Sequence, residues 1–139
     1  MIIACFDPGN HTGWVLKNTI TGEFIGGTFL EADMYKPLAS LFEEFPIDLV
    51  VYETFNLYPG MSKHLAWNSF YPVEIIGILK FICWDRGIQI VGQAPSIKKF
   101  AGTLNPQDIK DIKASERGYT EHTKDALLHY MYYARNNAI

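Results

Sequence analysis

The 139-residue sequence has little cysteine, no long apolar run and no excess of positive charge, and each shortage closes off a class of protein. Its two cysteines, Cys5 and Cys83, stand in apolar segments with no second Cys or His at metal-ligand spacing. That excludes a disulfide framework and a thiolate zinc site and leaves two reduced core thiols. No hydrophobic stretch approaches the roughly 18 residues needed to span a bilayer, and the opening Met1-Ile2-Ile3-Ala4-Cys5 lacks the basic start and cleavage pattern of a signal peptide. A cytoplasmic protein without membrane association is expected. Internal repeats, low-complexity tracts and linkers are also missing, so residues 1–139 are expected to form one domain, and 48% hydrophobic composition can fill its core.

The net charge of −3 argues against a uniformly basic nucleic-acid binder, but the charge is unevenly spread. Residues 1–60 carry two basic and eight acidic side chains, whereas residues 61–139 carry ten and seven. Any phosphate-facing surface is therefore expected from the second half.

Short apolar runs broken by turn chemistry open the chain: residues 2–6, then Asp7-Pro8-Gly9, residues 12–16, a turn over 18–22, and residues 23–30. Three strands in an antiparallel meander follow from this. Leu38, Leu41, Phe42 and Phe45 share one helix face, with Pro37 in the first turn and Pro46 at the end. Residues 47–52 are apolar almost throughout, the pattern of a strand buried on both faces. A loop around Pro59-Gly60 leads into a helical stretch that is either interrupted or begun afresh at Pro72 and closes at Gly87. Residues 88–93 read as a fifth strand, and Pro95-Ser96 open a short helix. Asn105-Pro106 start a further helix expected to reach Gly118, and Thr120 caps a last one from Glu121 to about Asn136. The predicted fold is α/β: a five-stranded mixed sheet, with a meander followed by two strands reached through helical crossovers, flanked by helices. That order is the order of RNase H-like domains.

Two acids end apolar strands, Asp7 the first and Glu53 the fourth. On neighbouring strands, about 4.8 Å apart, their carboxylates would share one rim of the sheet and repel, a conflict that a divalent cation removes. His122 and Asp125 lie three residues apart on one face at the start of the last helix, with His129 a turn further on. Hard carboxylate oxygens with one imidazole favour Mg²⁺ or Mn²⁺ over Zn²⁺.

These residues carry a resemblance. The segment Asp7-Pro8-Gly9-Asn10-His11-Thr12-Gly13-Trp14 resembles the first motif of RuvC-like Holliday junction resolvases, and Val50-Val51-Tyr52-Glu53 resembles their second. His122-Thr123-Lys124-Asp125-Ala126 resembles their C-terminal HxxDA, and Gln93-Ala94-Pro95-Ser96 with Lys98 and Lys99 their fifth strand and lysine-bearing helix. The resemblance implies a Mg²⁺-dependent endonuclease that cuts four-way or other branched DNA by two-metal phosphodiester hydrolysis. Asp7, Glu53 and Asp125 would bind two Mg²⁺ ions, Mn²⁺ substituting, and His122 would either ligate a metal or assist the water. The family's aromatic wedge, three residues beyond the glutamate, is replaced here by Asn56, with Phe55, Leu57 and Tyr58 as alternative wedges. The short form resembles phage-encoded members, which would work in the host-cell cytoplasm.

Lys63, His64, Lys98, Lys99, Lys110, Lys113, Arg117 and Lys124 are the expected phosphate contacts. Ile75, Ile76, Ile78, Leu79, Phe81, Ile82 and Trp84 make the second long helix apolar around more than one face, and the resemblance implies that it forms a two-fold homodimer, with Ile75, Ile76, Ile78, Leu79 and Ile82 expected at its interface. Competing readings are an RNase H-like nuclease on RNA–DNA hybrids, a packaging nuclease module, and a non-catalytic junction-binding dimer. An actin-like nucleotide-binding lobe shares the DxGxxxG turn but needs a second lobe.

Overall fold

The computed structural model describes residues 1–56 and 70–139. Strands β1 (Ile2–Asp7), β2 (Thr12–Asn18) and β3 (Phe24–Phe29) form the antiparallel meander. Strands β4 (Leu49–Glu53) and β5 (Gln89–Gln93) run parallel to β1, so the sheet order is β3-β2-β1-β4-β5. Helices α1 (Tyr35–Glu44), α2 (Tyr71–Arg86), α3 (Pro106–Ala114) and α4 (Glu121–Asn136) flank the sheet, with 3-10 turns at Glu31–Asp33 and Pro95–Phe100. This is the expected RNase H-like architecture. Among the described residues no helix is long and apolar enough to cross a membrane.

The period-2 alternation of strands divides the core. Ala4, Phe6, Trp14, Leu16, Val50 and Tyr52 point to the face covered by α1 and α2, where they meet Leu38, Leu41, Phe42, Ile75, Leu79 and Cys83. Ile3, Cys5, Val15, Leu49 and Val51 point to the other, under Ile112 of α3 and Ala126, Leu127 and Tyr130 of α4. Asp7, Glu53 and Gln93 continue this second parity, so the sheet delivers all three to the α4 side. Both cysteines are buried and unpaired, and burial pushes the Cys83 thiol up to about 11, as expected of inert core thiols.

Two glycines let the C-terminal segment close onto the meander. A Cβ on Gly13, the register partner of Asp7, would stand 1.9 Å from the His122 carbonyl oxygen, and one on Gly27 would stand 1.9 Å from that of Arg117. The start of α4 is then locked by a capping box. Thr120 accepts the His122 amide at 3.1 Å, Thr123 accepts the Thr120 amide at 3.0 Å, and the Thr123 hydroxyl donates to Gly27 O at 2.8 Å. Gly13→Ala must push α4 off β2. It is expected to cost about 3 kcal/mol or more, measured by urea denaturation.

Two expectations need correction, and Arg117 takes a partner within the chain. Helix α3 ends at Ala114, not Gly118. The Ser115 hydroxyl bonds Ile112 O and Gly26 O, Glu116 turns to a positive φ of 56°, and Arg117 bridges to Gly27, so the chain leaves the helix to line β3. Of the proposed dimer residues, Ile75 and Leu79 lie wholly inside the protomer's own core, and Ile76, Ile78 and Ile82 are partly buried against it. What α2 leaves exposed is Val73, Phe81 and Trp84, the last two at 62% and 78%. Arg117, expected on phosphate, makes a bidentate pair with Glu44 of α1 and covers the Trp14 and Phe45 rings.

Candidate active site

Asp7 and Glu53 stand at the ends of adjacent parallel strands, one residue beyond the Phe6–Tyr52 register pair, and Gln93 is the register partner of Glu53 on β5. Helix α4 crosses this rim and brings His122, Asp125 and His129 to it. The His122 Nδ1 lies 3.7 Å from Asp7 Oδ2. His129, wholly buried, sets Nε2 2.8 Å from Glu53 Oε2 and Nδ1 2.7 Å from Gln93 Oε1. Lys98, on the 3-10 turn after β5, reaches in with Nζ 3.0 Å from Glu53 Oε2 and 3.6 Å from Asp125 Oδ2. All four expected site residues therefore come together, drawn from three separate elements.

The electrostatics follow from this crowding. Burial, then the charges of Glu53 and Asp125, push the Asp7 carboxyl up to about 7, although Lys98 pulls the other way. Burial would raise Glu53 as well, but hydrogen bonds from His129 and Lys98, with the attraction of the Lys98 ammonium, outweigh it and hold that carboxyl below its ordinary value. Burial would weaken the Lys98 ammonium, yet its hydrogen bond and attraction to Glu53, with the charges of Asp125 and Asp7, keep its pKa above the ordinary value.

Among the described residues no three His, Cys, Asp or Glu side chains form a ready-made metal cage. Lys98 stands instead against two of the three carboxylates. The donor set nonetheless suits a hard divalent cation: three carboxylates share one ammonium, and the charges of Glu53 and Asp125 add to burial in raising Asp7, a repulsion that such a cation would relieve. Asp7, Glu53 and Asp125 are the residues that could hold it, with His122 beside Asp7.

The remaining sequence candidates separate. Lys98, expected on phosphate, lies within the carboxylate cluster. Lys99 and Lys124 flank it in the chain, Lys99 over the Phe100 ring and Lys124 beside Glu121. Lys110 and Lys113 ride on α3, which packs on β3 at the far edge of the sheet, and Lys113 covers the Tyr119 ring. Phe55, two residues past Glu53, packs edge-on against Phe70 at 5.5 Å. Lys63, His64, Leu57 and Tyr58 lie outside the described residues. The sequence left His129 and Gln93 without roles, and His11 too, whose ring meets that of His122 edge-on at 5.9 Å. The signal for His129 was present: it lies four residues after Asp125 and seven after His122, on the helix face that meets the rim.

No family model and no curated protein matches the sequence. The chain is similar in structure to T. thermophilus RuvC, solved in complex with a Holliday junction substrate. The TM-score is 0.66 at 17% identity, over 99% of this chain and 96% of that one. The chain thus has a RuvC-like, RNase H-like fold.

Proposed function

We propose that this chain is a divalent-metal-dependent endonuclease that hydrolyses phosphodiester bonds in branched DNA, four-way junctions foremost. The observation that carries the reading is the convergence of Asp7, Glu53 and Asp125 on one rim of the sheet, under the start of α4, where the single Lys98 ammonium faces all three carboxylates. Support comes from the similarity to a RuvC solved with a junction substrate.

Mg²⁺ or Mn²⁺ held by the three carboxylates would supply Lewis-acid activation of the attacking water and stabilise the leaving oxygen. The chain's own groups do the rest. Asp7 must give up its proton to become a ligand. His122, half-exposed and 3.7 Å from Asp7, is placed at the solvent side of the site, where its ring can take or return a proton. Lys98 keeps one positive charge inside the site and is the group that must shift when a cation enters.

Val73, Phe81 and Trp84 expose more apolar surface on α2 than a lone protomer explains, and a second copy of the chain is the proposed cover. Phe81→Glu with Trp84→Glu is expected to turn a dimer into a monomer on sedimentation, with the protomer's melting temperature little changed.

Labelled four-way junction, flap, duplex and RNA–DNA hybrid, each with Mg²⁺ or with EDTA, test the activity. Mg²⁺-dependent nicking of the junction in preference to the others supports the reading. Preference for the hybrid transfers it to an RNase H activity, and tight junction binding without cleavage in any divalent ion leaves a binding protein.

A further inference from the structure

His129 takes no part in the chemistry proposed above and yet is a wholly enclosed polar group beside it. Both ring nitrogens are engaged, Nδ1 with Gln93 and Nε2 with Glu53, at 2.7 and 2.8 Å. An ionised Glu53 needs an N–H from Nε2. Either the ring is doubly protonated and donates to the Gln93 carbonyl as well, or the Gln93 amide is turned to donate its N–H to Nδ1. In both arrangements Gln93 decides which way the imidazole faces. Glu53 and Gln93 are register partners on β4 and β5, so the ring ties two strand ends to α4.

His129 and Lys98 bond the same carboxylate oxygen, Oε2, and neither bonds Oε1. They are not equivalent anchors. Lys98 is a long, quarter-exposed side chain that an incoming cation would compete with for the carboxylates, whereas His129 is wholly enclosed. Once Lys98 swings away, the imidazole is what still fixes Glu53.

We infer that His129, oriented by Gln93, is a positioning residue that pins Oε2 of Glu53 and so presents Oε1 to the divalent cation. The inference rests on the metal-dependent reading of the site. Groups that orient a ligating carboxylate set metal affinity as well as geometry, typically by about 10–100-fold. A purely structural histidine would affect stability alone.

Mn²⁺ binding to the full chain, followed by electron paramagnetic resonance or calorimetry without DNA, distinguishes the two. His129→Leu is expected to weaken Mn²⁺ binding by about 10–100-fold. His129→Gln, whose amide N–H can reach toward Glu53, is expected to recover much of that loss. Gln93→Leu is expected to weaken binding less than His129→Leu, and it carries the test should His129→Leu fail to fold. Leu127→Ala, equally buried on α4 but facing the core, is the control: it lowers the melting temperature and leaves Mn²⁺ affinity unchanged. Unchanged affinity in His129→Leu, or equal loss in Leu127→Ala, overturns the inference while leaving the metal site standing. Failure of the unaltered chain to bind Mn²⁺ overturns the site and the inference together.

Discussion

Asp7→Asn is expected to abolish the proposed Mg²⁺-dependent strand cleavage and, at pH 8 in EDTA, to yield a protein more stable than the original. The loss of activity is expected to exceed about 100-fold, since removal of a group that merely supports a ligand already acts on that scale. The gain in stability follows from linkage. The folded Asp7 carboxyl is raised from 3.8 to about 7, so the folded state binds more protons than the unfolded chain between those values. The stabilisation tied to its proton is fully present below pH 3.8 and is lost as pH rises through about 7. Above that point the folded protein carries an ionised, buried carboxylate beside two others, at a cost of about 1.4 kcal/mol per unit of pKa elevation. Asparagine has the same shape and no charge. Its advantage over Asp7 in thermal melts should therefore be largest at pH 8 and vanish toward pH 4.

Affinity for Mn²⁺ is expected to rise steeply with pH and to level off near 7, because in the proposed site cation and proton compete for Asp7. If Asp7 must deprotonate to become a ligand, each cation bound at pH 6 expels about one proton, and apparent affinity climbs about tenfold per pH unit below the plateau. Glu53 does not add to this slope, because His129 and Lys98 already hold it ionised. Calorimetry at pH 6 in buffers of different ionisation enthalpy counts the released protons directly. A flat affinity profile from pH 5 to 8 would contradict the electrostatic description of the site.

Much of this site was legible because strands and helices impose fixed periods. Asp7 and Glu53 each follow an apolar run whose alternation decides which face they join, and the three-residue spacing of His122 and Asp125 puts them on one helix face. The caps were legible for the same local reason: Asn105 and Thr120 accept the amides that open α3 and α4. What escaped depended on distant contacts. Lys98 reads as a phosphate contact because nothing local reveals that its turn leans over Glu53 and Asp125. The spacing of His129 from His122 and Asp125 puts it on the face that meets the rim, but its contact with Gln93 forms only when β5 lies beside β4, and no spacing along the chain records that. The pairing of Arg117 with Glu44 escaped because the two are 73 residues apart. The early stop of α3 came from a Ser115 hydroxyl bonded to Gly26 on a strand 89 residues distant.

The similarity to T. thermophilus RuvC shows a shared fold at 17% identity, and so leaves the chemistry to be argued from these side chains. Crystals soaked in Mn²⁺ and measured for anomalous scattering address it most directly. The account predicts a peak enclosed by Asp7, Glu53 and Asp125, with the Lys98 ammonium moved away from Oε2 of Glu53. Full soaking with no anomalous peak at that rim, and Lys98 still seated between the carboxylates, would contradict it.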